Sequence, residues 1–414
     1  MFGFPPDPSS LITLANWQDP PNQRWAFQHM REIVPTQTIG RGPGPVSLLP
    51  TSLTAVGGVP LTRLDGSAAT VDEVVADTFT DAWLVLHNGS IVEERYGGEM
   101  TAKTPHLLMS VSKSIIGCVA AVLIEGGALD PEALVSDYVA EVSTSGYAGA
   151  TVRHLLDMRT GVAFRETYTL AEAEVRVMER SMGWRPLLPG DPVGAYAYLT
   201  TLGTAGPHGD SFTYRSADTD MLGWVCERAS GIRMADLVSR HIWTPMGAEA
   251  DAEISCDAVG SAIHDGGISA VARDLARFGQ MLLVDGRAQG RQVVPASWLK
   301  DALNADADVR NAFARSENHL FLPGGWYRNQ FWLVPGLRGD LLVCLGIHGQ
   351  MVCVDRVSGT VCVKLSSWPD AQNPGYLIDT LRAFSALSSQ LADAAQPAPQ
   401  SLANGASTTF RPES

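Results

Sequence analysis

A chain of 414 residues, 45% apolar and 18% charged, can bury a large core and falls with globular rather than disordered proteins. Its net charge of −14 excludes the basic footprint that nucleic acids and anionic membranes require, and mildly favours neutral or cationic small molecules. Arginine supplies nearly all of the positive charge, because the lysines are only Lys103, Lys113, Lys300 and Lys364.

The N-terminus, MFGFPPDPSSLITLANWQDPP, has neither a basic n-region nor an apolar h-region, and no apolar run approaches the ~20 residues of a membrane span. The expectation is a cytoplasmic protein with no membrane partner. Residues 1–75, rich in Pro and Gly, read as an arm packed on the body, with one helical piece from Trp25 to Ile33. AWLVLH, Asn88-Gly89 and SIVEERYGG then form a hairpin signal, since Asn-Gly suits a two-residue turn between alternating runs. The segment Ser110–Leu123 is apolar nearly all round and ends at Gly126-Gly127, which predicts a buried helix. Residues 126–265 read as mainly helical pieces and long loops.

Ser269 looks like the N-cap of a helix through ARDLARFGQMLL, with Gly286 beyond its end, and a further helix starts near Ser297. QFWLV, DLLVCLG, QMVCVDR and TVCVKLS follow as consecutive antiparallel strands, and DTLRAFSALSSQL as a closing helix. From 393 to 414 the chain lacks a core-forming pattern and is expected to be disordered. Strands near both ends and helices in the middle give an α+β architecture. One antiparallel sheet is built from both termini (76–125 and 266–392) and flanked by helices, with the helical region beside it and a cleft between. The six cysteines include no C-x-x-C pair and no zinc spacing, and read as small buried hydrophobes.

In HLLMSVSKS, Ser110 and Lys113 are three residues apart and share a helix face. A serine hydroxyl becomes a nucleophile when a base takes its proton. A lysine can be that base if burial and the positive end of the helix dipole lower its pKa toward neutrality. The first turn also offers free N–H groups for an oxyanion. Taken alone, the pair reads equally well as an N-capping serine with a snorkelling lysine. Ser297 and Lys300 repeat the spacing and read as an N-cap and a solvated lysine. Ser112 is a rival nucleophile, but at i, i+1 it does not face Lys113.

A hundred residues on, Tyr214-Arg215-Ser216 leads an extended piece into a helix. A tyrosine beside a cationic lysine has its pKa pulled down and can relay protons. GIHGQ, residues 346–350, places glycines in a strand where the backbone must approach something closely. These three motifs resemble the penicillin-recognising serine hydrolases: serine β-lactamases, D-alanyl-D-alanine peptidases and family VIII carboxylesterases. WQDPPNQRWAF, HLLMSVSKS, ERSMGW, GGISAVARDLAR, GIHGQ and VKLSSWPD resemble, more closely, the 6-aminohexanoate-dimer hydrolases within that superfamily, over residues 17–369.

The resemblance implies Ser110 as nucleophile, Lys113 as its base, Tyr214 as proton relay, and the N–H groups of Ser110 and Ile347 as oxyanion hole. It implies substrate contacts from Tyr168, Glu179, Trp184, Ser216, Asp265, Trp332 and His348, with Glu179 placed for a substrate ammonium or crowding it. Asp265 stands where the family can show asparagine. GIHGQ replaces the Lys-Thr-Gly of β-lactamases, which removes a lysine near the substrate carboxylate. His348 is not needed as a base, because the G-x-S-x-G elbow is absent. The expected chemistry is cleavage of a small amide or ester through an acyl-enzyme, with no metal or cofactor. A short-chain carboxylesterase lacking useful amidase activity and a non-catalytic penicillin-binding-like sensor are the alternatives. The oligomeric state is left open, a homodimer being allowed.

Overall fold

Asn88 and Gly89 both hold left-handed backbone (φ +49° and +79°). They reverse strand β1 (Thr80–His87) into β2 (Ser90–Tyr96), with His87 opposite Ser90. A two-residue turn with positive φ at both positions matches the right-handed twist of its strands. The computed structural model describes residues 4–395. Within them, helix α1 (Val111–Glu125) follows the hairpin, then α2 (Glu174–Ser181), α3 (Ser216–Ser230) and α4 (Ala272–Leu283). Strands β3 (Trp326–Arg328), β4 (Phe331–Pro335), β5 (Asp340–Gly346), β6 (Gln350–Asp355) and β7 (Thr360–Ser366) complete one sheet. Helix α5 (Pro374–Ala395) comes last.

The sheet runs β3-β4-β5-β6-β7-β1-β2, antiparallel throughout. The late strand β7 pairs with the early strand β1, Lys364 lying opposite Trp83. The fold is thus the β-lactamase-like α+β architecture, its sheet drawn from both termini. Helix α4 lies against β6, β7 and β1. A Cβ on Gly279 would come within 2.4 Å of Val361, so only glycine lets the helix sit this close. Helix α1 is buried on nearly every face, as its sequence predicts, between α3 and the sheet. All six cysteines are buried and unpaired.

Four expected boundaries move. The piece Trp25–Ile33 divides into a short helix, Asn22–Ala26, and a 3-10 turn, Met30–Glu32, because His29 leaves helical geometry (φ −136°). Ser269 caps no helix. It lies in a short strand, Ile268–Ala270, paired with Leu107 and Glu253, and α4 starts two residues beyond that strand with Val271 at its cap. Ser297 sits inside its helix (Ala296–Leu303), capped by Pro295, and both Ser297 and Lys300 are exposed. The expected disordered tail begins too early, since 393–395 continue α5, and the rest of it lies outside the described residues.

A second, small sheet joins the arm to the helical region: Thr36–Ile39, Ala252–Ser255, Ile268–Ala270 and His106–Leu107, in that order. It places residue 265 just before one strand and residue 110 just after the next.

Candidate active site

The strand His106–Leu107 delivers the chain to Met109, whose backbone is left-handed (φ +47°). A non-glycine residue in that region is strained. The turn sets Ser110 at the head of α1, where its side chain makes no capping bond. The hydroxyl instead meets Lys113 Nζ at 2.9 Å. Lys113 is 1% exposed, and Nζ also reaches Ser216 Oγ at 3.0 Å and the Asp265 carbonyl oxygen at 2.8 Å. Snorkelling is therefore ruled out for Lys113. Ser112 points elsewhere, its hydroxyl accepting from the Ile268 N–H at 3.2 Å.

The electrostatics correct two expectations. Burial pulls the Lys113 pKa down, but Tyr214, Asp265, Glu166 and Asp220 outweigh it and hold Lys113 above its ordinary value. Tyr214 also departs from expectation: burial raises its phenol more than Lys113 and Ser110 lower it. Asp265 is pushed up to about 7 by burial, Asp220 and Glu166, against the pull of Lys113. Asp265 and Lys113 thus each favour the other's charged form.

Two backbone donors face the same space. The N–H groups of Ser110 and Ile347 meet no protein acceptor among the described residues, and both residues line a small pocket with Met109 and Asp265. Gly346 makes this approach possible: a Cβ there would stand 2.6 Å from the Leu108 carbonyl oxygen and 3.0 Å from the Ser110 nitrogen. On its other side Ser110 opens into a cleft of about 800 Å³, lined by Glu166, Tyr168, Tyr214, Trp332 and Ile347 among others.

Tyr214 packs its ring against Trp332 (centroids 5.1 Å apart) and lies 5.3 Å from Lys113 Nζ. Trp332 belongs both to the cleft wall and to an aromatic cluster with Phe212, Phe313 and Tyr327. Trp184 lines the small pocket, packed edge-on to Trp17 of the arm, whose indole N–H donates to the Trp184 carbonyl at 2.7 Å. The WQDPP motif thus buttresses the pocket from behind.

Two expected substrate contacts are corrected, and a third is found already paired. Glu179 does line the small pocket, but its Oε2 takes Arg176 and Arg185, each at 2.6 Å, so its charge is already neutralised. Ser216 is fully buried and spends its hydroxyl inside the site: it donates to Glu166 Oε1 at 2.6 Å and accepts from Lys113. His348 lines neither cavity. Its Nδ1 meets the Trp368 carbonyl at 2.7 Å, its ring packs on Phe27, and its left-handed backbone (φ +58°) turns the β5–β6 hairpin. Tyr168 does reach the pocket, with its hydroxyl donating to Glu166 Oε1 at 2.6 Å.

Sequence reasoning missed Glu166 and Asp220. Glu166 stands two residues before Tyr168 in FRETYTL, a spacing that puts both side chains on one side of an extended segment. Asp220, one turn along α3 from Ser216, accepts the N–H groups of His264 (2.7 Å) and Asp265 (3.1 Å). It thereby fixes the residue whose carbonyl holds Lys113.

A family model described as Beta-lactamase matches residues 68–383. The chain belongs to the β-lactamase family. It is a serine hydrolase of that family, 37% identical over 385 residues to the 6-aminohexanoate-dimer hydrolase of Paenarthrobacter ureafaciens, covering 91% of this chain and 95% of the relative. A solved structure from Bacillus anthracis, assigned provisionally as a 6-aminohexanoate-dimer hydrolase, matches with a TM-score of 0.83 at 27% identity, over 94% of this chain and 98% of that one. EstCE1, a hydrolase with promiscuous acyltransferase activity, shares the β-lactamase-family fold at 17% identity (TM-score 0.59, 76% of this chain and 97% of that one).

Proposed function

We propose that this β-lactamase-family hydrolase cleaves small linear amides and esters through an acyl-enzyme on Ser110. The observation that carries the reading is Lys113 Nζ, buried and 2.9 Å from Ser110 Oγ, with two open N–H groups beside it. Ser110 Oγ bonds to the substrate carbonyl carbon as its proton passes to the unprotonated form of Lys113. The oxyanion settles between the N–H groups of Ser110 and Ile347, a donor of this kind being worth about 3–4 kcal/mol of barrier. The C–N or C–O bond then breaks as Tyr214 gives its proton to the leaving amine or alcohol, and Lys113 returns a proton to Tyr214. Water adds to the acyl carbon by the reverse route, releasing the acid and restoring Ser110.

For a substrate that carries an ammonium, such as the dimer the Paenarthrobacter relative is named for, Asp265 is the better partner than Glu179. Both carboxylates line the small pocket, but Asp265 Oδ1 is buried without a hydrogen-bond partner, whereas Glu179 is held by two guanidiniums. The same neutralisation of Glu179 favours a second reading, a short-chain carboxylesterase with weak amidase activity.

The test is turnover of p-nitrophenyl acetate and of the 6-aminohexanoate dimer by wild type and Ser110→Ala, with mass spectrometry after fluorophosphonate treatment. Wild type should hydrolyse the ester and carry one adduct on Ser110, and Ser110→Ala should do neither. Undiminished turnover by Ser110→Ala would overturn the reading. Ester turnover without dimer turnover would select the carboxylesterase.

A further inference from the structure

Lys113 Nζ stands within hydrogen-bond distance of three oxygens, those of Ser110, Ser216 and Asp265. An ammonium can donate to all three. A neutral amine has two N–H donors and one lone pair, so the partners decide where the lone pair points. The Asp265 partner is a backbone carbonyl oxygen and can only accept. The other two are hydroxyls, and a hydroxyl can serve either way. If Ser216 donated to Lys113, it would occupy the lone pair that Ser110 needs.

Glu166 removes that freedom. Its Oε1 receives the Ser216 hydroxyl at 2.6 Å and its Oε2 receives the Ser216 N–H at 2.9 Å. The Tyr168 hydroxyl donates to the same Oε1 at 2.6 Å. Three donors converge on one carboxylate, which can meet all three only as an acceptor. The Ser216 proton is therefore committed to Glu166, and Ser216 Oγ can only accept from Lys113.

We infer that Glu166 is a positioning residue: by fixing the direction of the Ser216 hydroxyl it leaves neutral Lys113 one productive arrangement, with its lone pair on Ser110. Glu166 makes no hydrogen bond to Lys113 or Ser110: its charge helps to hold the Lys113 pKa up, and its hydrogen bonds act through Ser216. The inference rests on Ser110 and Lys113 being nucleophile and base.

The substitution Glu166→Gln separates this role from simple space filling. The shape is kept, but the amide brings a donor into a site already crowded by three donors. Facing Ser216 Oγ, that amide reverses the hydroxyl and turns it toward Lys113. Facing the Ser216 N–H, it sets donor against donor. Compared on the alkaline plateau of each pH profile, where the charge Glu166 lends to Lys113 no longer matters, p-nitrophenyl acetate kinetics should show kcat reduced about tenfold or more in Glu166→Gln, with KM changed much less. Glu166→Asp keeps an acceptor-only carboxylate and should retain more kcat than Glu166→Gln, whatever the melting temperature of either. In a Ser216→Ala background there is no hydroxyl to direct, so Glu166→Gln should cost no more than about twofold.

The inference is overturned by a Glu166→Gln kcat within about twofold of wild type, by Glu166→Asp no better than Glu166→Gln, or by an equal loss with and without Ser216. Ser110→Ala keeps the two levels apart. If Ser110→Ala is inactive and Glu166→Gln is normal, only the role of Glu166 falls. If Ser110→Ala retains activity, the underlying reading falls.

Discussion

Asp265 Oδ2 lies 3.6 Å from Lys113 Nζ inside a site that water barely reaches, and this pairing helps to keep the base charged. Against burial, Tyr214, Asp265, Glu166 and Asp220 together hold the Lys113 pKa above its ordinary value. Proton abstraction needs the neutral amine, so the acid limb of kcat/KM lies on the alkaline side and activity rises with pH across the neutral range. Asp265→Asn deletes one of those negative charges, and the Lys113 pKa must fall. With a neutral ester, the limb of Asp265→Asn should move to lower pH, and kcat/KM at pH 7 should rise several-fold. A limb that stays in place, or moves up, would show that Asp265 does not govern Lys113.

Glu179 makes a different demand. Its buried carboxylate satisfies Arg176 and Arg185 together, and Arg176 also holds the Tyr168 carbonyl at 2.9 Å through Nε. Removing one partner of a buried charge network leaves the others uncompensated, typically at about 3 kcal/mol or more. Glu179→Ala should therefore lower the melting temperature by several degrees. If Glu179 does not hold the ammonium, the substitution should scale ester and amine-bearing amide rates down alike. A selective loss of the amide reaction would return Glu179 to the ammonium site.

The pieces of the site that were legible in the sequence are those set by local geometry. Ser110 and Lys113 meet because three residues on a helix bring side chains together. Asn88-Gly89, β4 to β7 and the burial of α1 follow from turn chemistry and apolar pattern. Most of what escaped was set by distant segments: no spacing rule brings Glu166 to the N–H of Ser216, 50 residues on. The pKa of Lys113 was misjudged for the same reason, because Asp265 and Asp220 reach it from other elements. The Arg176–Glu179 pair is the exception, an i, i+3 spacing on α2 that could have been read. Ser269 shows the reverse failure: a local capping preference lost to a β-ladder with Leu107 and Glu253.

Gly346 tests the oxyanion pocket without touching a titrating group. Its backbone is extended (φ −131°), so alanine carries no conformational penalty there. The cost is steric alone: the new methyl would press on the Leu108 carbonyl oxygen at 2.6 Å and the Ser110 nitrogen at 3.0 Å. Relief requires β5 to move away from the head of α1, which separates the N–H groups of Ser110 and Ile347. Loss of one oxyanion donor typically costs about 100-fold or more in kcat. Gly346→Ala should show about a 10- to 100-fold loss in kcat with KM little changed, measured on p-nitrophenyl acetate. A kcat within about threefold of wild type would mean that the donors do not lie where Gly346 places them.

Lys364 is a second buried lysine, and the reasoning used for Lys113 shifts its pKa the other way, toward the neutral amine. It sits on β7 with Nζ donating to the Thr78 carbonyl at 3.0 Å and to the Ser366 hydroxyl. Two acceptors are what a neutral amine can serve. Burial, opposed only weakly by Asp81 and Cys362, lowers its pKa to about 7. Between about 7 and the ordinary value of 10.5, the unfolded chain carries a proton that the folded chain does not. Stability must therefore rise with pH across that window and be lost as pH falls toward 7, by up to about 1.4 kcal/mol per unit for a full proton. Lys364→Met is similar in volume and removes the titrating group. Its lost hydrogen bonds shift stability by an amount independent of pH, and every other ionisable group is shared with wild type. The melting temperature of Lys364→Met minus that of wild type, followed from pH 7 to 10, should fall steadily as pH rises. A difference that stays flat would mean that Lys364 is folded with its proton on.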